Sequence, residues 1–248
     1  MEWNRSTSRG PTDVRLSMAQ KTDPIAGLVQ NIEEVDRLLA IHEQIGGATR
    51  GRKHNLEVLN KSGIVLLVAC WEAFIEDLAS AAFDAMLMHA TDHTIFPADV
   101  LAFASRDLKS APDHREVWKL AGTGWKTVLQ NHKAEVFKTY IGKLNTPKPK
   151  QIDSLFTTLI GISSLSSKWS WRGMSPDSAV EKLNRLVELR GSIAHRVAAA
   201  KSVHKSDVTA HVEFIYRLAV RSSNRTRAFV RARVKHRPWP TYYYGEIR

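Results

Sequence analysis

The sequence predicts an all-α protein, a helical bundle with a long central helix and a basic C-terminal helix. Three observations carry that expectation. Apolar residues recur at spacings of three and four in runs too long for strands. Two helix starts are written out, Asp23-Pro24 and Ser175-Pro176-Asp177. In each, a capping side chain precedes a proline whose missing N–H costs nothing at the first helical position. No segment alternates apolar and polar residues as a half-buried strand does, and no hairpin signal or internal repeat occurs.

Taken in order, residues 1–22 are polar and without period, and read as a flexible arm. A first helix begins at Pro24, carries Ile25, Leu28, Val29, Ile32, Val35 and Leu39, and stops at Gly46-Gly47. A second is expected from about Arg52 to Ala90. It is apolar on nearly every side between Ile64 and Ile75, which marks a helix covered on several faces. Glu76 and Asp77 can point outward from it, but Glu72, between Trp71 and Ala73-Phe74, is expected to be half-buried and to need a partner. Pro97–Leu144 reads as short helices joined by loops. A Pro/Lys linker then leads into a helix over Ile152–Ile160, followed by a Ser-rich loop or flap, GISSLSSKWSWRGMS. The helix from Pro176 has Val180, Leu183, Val187 and Ala194 for its apolar stripe. A last one starts near Ser206, buries Val208, Val212, Ile215 and Ala219, and ends before Pro238. The organisation expected is an arm (1–22), a helical domain (23–237) and a basic, aromatic C-terminal tail (238–248).

The 248 residues include 36 Lys and Arg against 25 Asp and Glu, a net charge of +11. Such a surface favours polyanions, nucleic acid before anionic membrane. At 43% hydrophobic and 25% charged residues the chain is an ordinary globular one. A single cysteine, Cys70, excludes an intramolecular disulfide framework and a Cys-based zinc knuckle, and fits a reducing, cytoplasmic setting. The first residues lack the apolar core of a secretory signal, and the apolar run Ile64–Cys70 is far too short to span a membrane.

No Walker loop, Rossmann glycine fingerprint, G-x-S-x-G or H-E-x-x-H occurs. His89 and His93 stand four apart with Asp92 beside them, a spacing open to zinc, but no further clustered ligand supports a metal site, and none is expected. The informative segment is Leu189-Arg190-Gly191-Ser192-Ile193-Ala194-His195, an R-x4-H element on a helix. A guanidinium matches phosphate oxygens bidentately, and a histidine is suited to proton transfer near neutrality. On an ideal helix, however, five residues at about 100° each place Arg190 and His195 about 140° apart. Either the helix distorts at Gly191-Ser192, or the Arg side chain wraps back, or the pair meets across a dimer axis. Ser192 and Arg196 are candidate phosphate contacts. Glu72 is a candidate acid that orients Arg190 or His195, or else pairs with a structural cation.

Together, the R-x4-H element, the capped helix before it and the upstream helix reading ACWEAFIEDL resemble the HEPN superfamily, in particular its RiboL-PSP-HEPN branch, over roughly residues 50–220. The resemblance implies metal-independent RNA cleavage by a homodimer, with no cofactor. Arg190 would stabilise the scissile phosphate, and His195 would move a proton at the ribose 2′-hydroxyl or the leaving 5′-oxygen. Two copies would build one composite cleft. It also implies a toxin or anti-phage defence role, with an antitoxin or defence-system protein as partner. Two positions depart from the family pattern. Gly191 stands where many relatives have a polar residue. Val197 stands where some have a tyrosine that a partner enzyme modifies. The first departure favours the alternative reading, a non-catalytic RNA-binding or protein-interaction module.

Nine Lys and Arg against one acid, Glu246, lie between Arg217 and Arg248. Arg217, Arg221 and Arg225 are spaced by four, as are Arg227, Arg231 and Lys235. Aligned like charges repel along a helix, and a polyanion lying on them reverses the sign. Arg217, Arg221, Arg225 and Arg231 are therefore candidate RNA contacts. The tail tyrosines and the flap tryptophans, Trp169 and Trp171, can stack bases or can pack on the domain itself.

Overall fold

The computed structural model describes residues 23–46, 56–141, 147–196 and 202–247. The architecture is all-α, with no strand among the described residues. The elements are α1 (Pro24–Gly46), α2 (Glu57–Met88), α3 (Ala98–Ala104), α4 (Arg106–Lys109), α5 (Gly124–Ile141), α6 (Pro149–Ile160), α7 (Pro176–Arg196) and α8 (Lys205–Val234), with short 3₁₀ segments at His93–Ile95, His114–Leu120, Ser166–Lys168 and Tyr244–Glu246. The expected arm, residues 1–22, lies outside the described residues, as do Gly47 and residues 52–55 of the expected second helix.

α2 is the axis on which the others pack. Ile64, Leu67, Val68, Trp71, Phe74, Ile75 and Leu78 are all buried. α1 lies antiparallel on it. The Cys70 thiol donates to the Asn31 carbonyl at 3.4 Å, and Gly63 faces Val35 while Gly27 faces Asp77. Burial pushes the Cys70 thiol up to about 11. α8 runs beside α2 in the same direction. Asn60 Nδ2 donates to the Val203 carbonyl at 3.0 Å, and Val208 lies where a Cβ on Gly63 would come within 3.1 Å. The loop before α7 completes the wrapping. Trp169 is fully buried, edge-on to Trp71 at 6.1 Å, and its Nε1 donates to Ser222 Oγ at 2.8 Å. The loop is pinned further where Ser166 donates from N (2.8 Å) and Oγ (2.5 Å) to the Asp153 carboxylate. Of the two readings, loop or flap, the Ser-rich stretch is a fixed loop, because the buried Trp169 ring and the Ser166–Asp153 and Trp169–Ser222 bonds anchor it to the domain.

Caps fall where the sequence puts them: Asp23 Oδ1 accepts from Ile25 N at 3.1 Å, and Ser175 Oγ from Ser178 N at 3.2 Å. One boundary, one segment and one stripe differ from expectation. α6 begins at Pro149, since Lys148-Pro149 starts the helix inside the stretch read as linker. It ends at Ile160, as expected, capped by Gly161, whose φ of +81° and whose close approach to the Pro97 ring, which leaves no room for a Cβ, both require glycine. α5 is a single 18-residue helix where short pieces are expected. In α7 the buried stripe is Ala179, Leu183, Leu186, Val187 and Ile193, and Ala194 is exposed.

The tail docks on its own domain. Trp239 is buried and its Nε1 donates to Ser223 Oγ at 2.9 Å. Arg227 Nε donates to the Trp239 carbonyl at 2.7 Å. Asn224 donates to the Tyr242 carbonyl at 2.7 Å and accepts from Tyr242 N at 3.1 Å. The Tyr242 hydroxyl donates to the Asp23 carboxylate at the cap of α1.

On α8, His211 is held low, at about 4, by burial first and then by Lys182, and its Nδ1 has no hydrogen-bond partner. An unfolded histidine takes its proton near 6.5, so the unfolded chain binds more protons between those values. Stability is then full above about pH 6.5 and falls as pH drops toward 4. The expected loss from this residue at pH 5 is about 2 kcal/mol. Denaturant titrations at pH 7 and pH 5 should show that loss in the wild type and a smaller one in His211→Gln. Equal losses would assign the acid sensitivity elsewhere.

Candidate functional site

Arg190 occupies a position of the α7 stripe that faces the core, one turn after Leu186 and Val187 and one before Ile193. An apolar residue would be ordinary there. Arg190 is half-buried, and its Nε is shielded from solvent without a hydrogen-bond partner. Across the α2–α7 contact stands Glu72, also half-buried. Burial pushes the Glu72 carboxyl above the ordinary carboxylate range, and the Arg190 charge pulls it part of the way back. Glu72 is thus half-buried, as expected, and Arg190 is the nearby cation whose charge acts on it, without an ion pair or hydrogen bond closing between the two side chains. Glu76, one turn along α2, is half-buried too, and its carboxyl is raised by burial and by the charges of Glu72 and Asp77. It joins the site without having been expected there; its i, i+4 spacing from Glu72 was the available signal.

His195 is exposed on the opposite side of α7. The helix is continuous from Pro176 to Arg196, so no break at Gly191-Ser192 brings the pair together. A Cβ on Gly191 would meet nothing within 4 Å, so neither distortion nor close helix approach explains the glycine. Ser192 Oγ donates to the Leu189 carbonyl at 2.7 Å, leaving only its lone pairs for a ligand. Arg196 ends α7; its side chain and Val197 lie outside the described residues. The Arg190–His195 pair is therefore split between the inner and outer sides of one helix.

Beside Glu72, α2 is not covered on every face. Ala69 is exposed and Val65, Leu66 and Ala73 are half-buried, in the stretch that the sequence makes apolar all round. On α8, Arg221, Arg225 and Arg231 are exposed, and with Arg217 they fall within an arc of about 120°. Arg217 is half-buried against the tail, its guanidinium carbon 3.9 Å from the Tyr244 ring centroid. His89 stacks on His236 at 4.0 Å, while His93 meets the edge of Trp125 at 6.4 Å, so the two histidines serve different contacts. Among the described residues no group of three or more His, Cys, Asp and Glu is placed to hold a metal ion. None of the described helices is long and apolar enough to cross a membrane.

The all-α bundle, with its R-x4-H helix packed on the central helix, is consistent with a HEPN-type domain. The chain matches the RiboL-PSP-HEPN family over residues 28–224, and it belongs to that family. No curated protein and no solved structure matches it.

The electrostatic pull of Arg190 on Glu72 has a direct check. Carboxyl-carbon NMR should show Glu72 titrating at higher pH in Arg190→Met than in the wild type, because the pull of the guanidinium is gone. An unchanged titration would remove that influence.

Proposed function

We propose that the protein is a metal-independent endoribonuclease acting on single-stranded RNA or RNA loops in a reducing, cytoplasmic setting. The observation that carries this reading is Arg190, a half-buried cation within electrostatic reach of Glu72 and with an unpaired Nε, followed on the same helix by the solvent-facing His195. RNA brings its own nucleophile. The 2′-hydroxyl attacks phosphorus, the bond to the 5′-oxygen breaks, and a 2′,3′-cyclic phosphate and a 5′-hydroxyl result. Arg190 stabilises the added charge on the phosphate oxygens. His195 takes the 2′-hydroxyl proton or supplies one to the 5′-oxygen. Glu72 fixes the guanidinium. Arg196 ends the same helix and takes a neighbouring phosphate, and Ser192 joins it by turning its hydroxyl away from the Leu189 carbonyl. Unpaired RNA is the accessible target, because the major groove of an A-form helix is too deep and narrow to read.

The active form is a homodimer. The outward turn of His195 away from Arg190 supports this, since one chain does not bring them together. The open strip of α2 around Ala69 supports it as well, being apolar surface beside the acid of the site. Arg221, Arg225 and Arg231 track the RNA backbone. A toxin or defence role, with an antitoxin or defence-system protein as partner, follows from the family alone.

The split of Arg190 and His195 equally supports a non-catalytic module that binds RNA or protein. One assay separates the two readings. Wild type, Arg190→Ala and His195→Ala are incubated with total RNA in EDTA. The wild type should yield fragments with cyclic phosphate ends, and His195→Ala should be slower by roughly 10²- to 10⁴-fold. Equal cleavage by both, or cleavage only when metal is restored, overturns the mechanism, and RNA binding without products selects the module.

A second measurement addresses assembly. Ala69→Glu places a charge on the open strip without disturbing the core. Light scattering should show a dimer for the wild type and a monomer for the variant, with cleavage lost in the variant. Identical masses would place the dimer contact elsewhere.

A further inference from the structure

Three segments far apart in sequence meet on one outer face of α7 and α8. Trp171 closes a tight turn in which its N–H donates to the Met174 carbonyl at 3.1 Å and Met174 N–H donates back at 2.9 Å, with Gly173 at φ +80°. Its half-exposed ring rests on Phe214 at 6.1 Å. Arg217 projects from α8 between two rings, its guanidinium carbon 6.0 Å from the Trp171 centroid and 3.9 Å from that of Tyr244. Tyr244 begins a 3₁₀ turn that is fixed where Tyr243 N–H donates to the Glu246 carboxylate at 3.1 Å. Lys182 Nζ sits 4.7 Å from the Phe214 centroid, and Arg221 is exposed one helical turn beyond Arg217.

We propose that Trp171, Arg217 and Tyr244 form a stacking platform for unpaired bases of a single-stranded nucleic acid, with Arg221 taking the adjacent phosphate. The platform shares no residue with the Glu72–Arg190 site. Both rings sit on turns closed by hydrogen bonds, so little ordering is required when a base arrives. The flat guanidinium between them offers a cation–π contact, and stacking accepts any base because every base has a π-face. A free phosphate would need only the cations; the paired rings are what favour a base. The proposal rests on the RNA-binding reading for the class of its ligand, and not on cleavage.

The test is binding by the full chain carrying His195→Ala, in EDTA, to a short fluorescein-labelled oligouridine over a range of salt. Trp171→Leu and Tyr244→Leu keep apolar bulk but remove the rings, and should each weaken binding by roughly 5- to 100-fold with an unchanged salt slope. Trp171→Phe and Tyr244→Phe should retain most of the affinity. Arg221→Ala should reduce the salt slope by about one. An oligothymidine should bind comparably, since stacking does not use the 2′-hydroxyl. Leucine variants that keep the parent's thermal midpoint and its affinity would overturn the platform, as would equal losses from leucine and phenylalanine. Absence of binding by the parent at low salt would overturn both the platform and the RNA reading. Ring-dependent binding by a protein whose wild type yields no cleavage products would support the platform and remove only the ribonuclease mechanism.

Discussion

The covering of one helix governs this structure. α2 carries apolar residues on nearly every side through its middle, so it is stable only where other elements remove those sides from water. α1, α8 and the Trp169 corner cover most of it, and each is held by at least one directional bond as well as by contact area. Cys70 to Asn31, Asn60 to Val203 and Trp169 to Ser222 set the positions of the three neighbours. Burial brings the elements together, and these bonds fix how they sit. The side near Ala69 is left open. The charged groups of the candidate site, Glu72 and Arg190, stand beside that opening.

Much of the fold was legible because helix periodicity is a local property. The Asp23 and Ser175 caps, the α1 and α8 stripes and the central character of α2 follow from residues within a few turns of one another. What was not legible depends on distant partners. Nothing near Trp239 in sequence says that Ser223 and Asn224 will take up the tail. Nothing near Trp169 names Ser222. Lys148-Pro149 is a cap written in residues that also make linkers, and so α6 starts earlier than its apolar pattern suggests.

The candidate site was legible in a different measure. Arg190 and His195 stand out as a motif, and Glu72 stands out as an acid in an apolar run. Their relation required the register of α7. Once Leu186, Val187 and Ile193 are seen to face the core, Arg190 must face it too, and His195 must turn away. The anomaly at Glu72 and the anomaly at Arg190 are then one feature, two opposite charges in the same partly dehydrated region between α2 and α7. Such an arrangement is weak as a source of stability, because desolvation offsets attraction. Its value is positional: it limits where a guanidinium can point.

The bond from Tyr242 to the Asp23 carboxylate ties the last segment of the domain to the cap of its first helix. The two ends of the helical body therefore emerge side by side. A domain with adjacent ends behaves as a cassette: it can be carried within a loop of another protein, or have its ends joined and be reopened at an exposed turn, with little strain on its core. Anything attached at either end projects from the same corner, so a module fused before α1 and one fused after the tail would be neighbours.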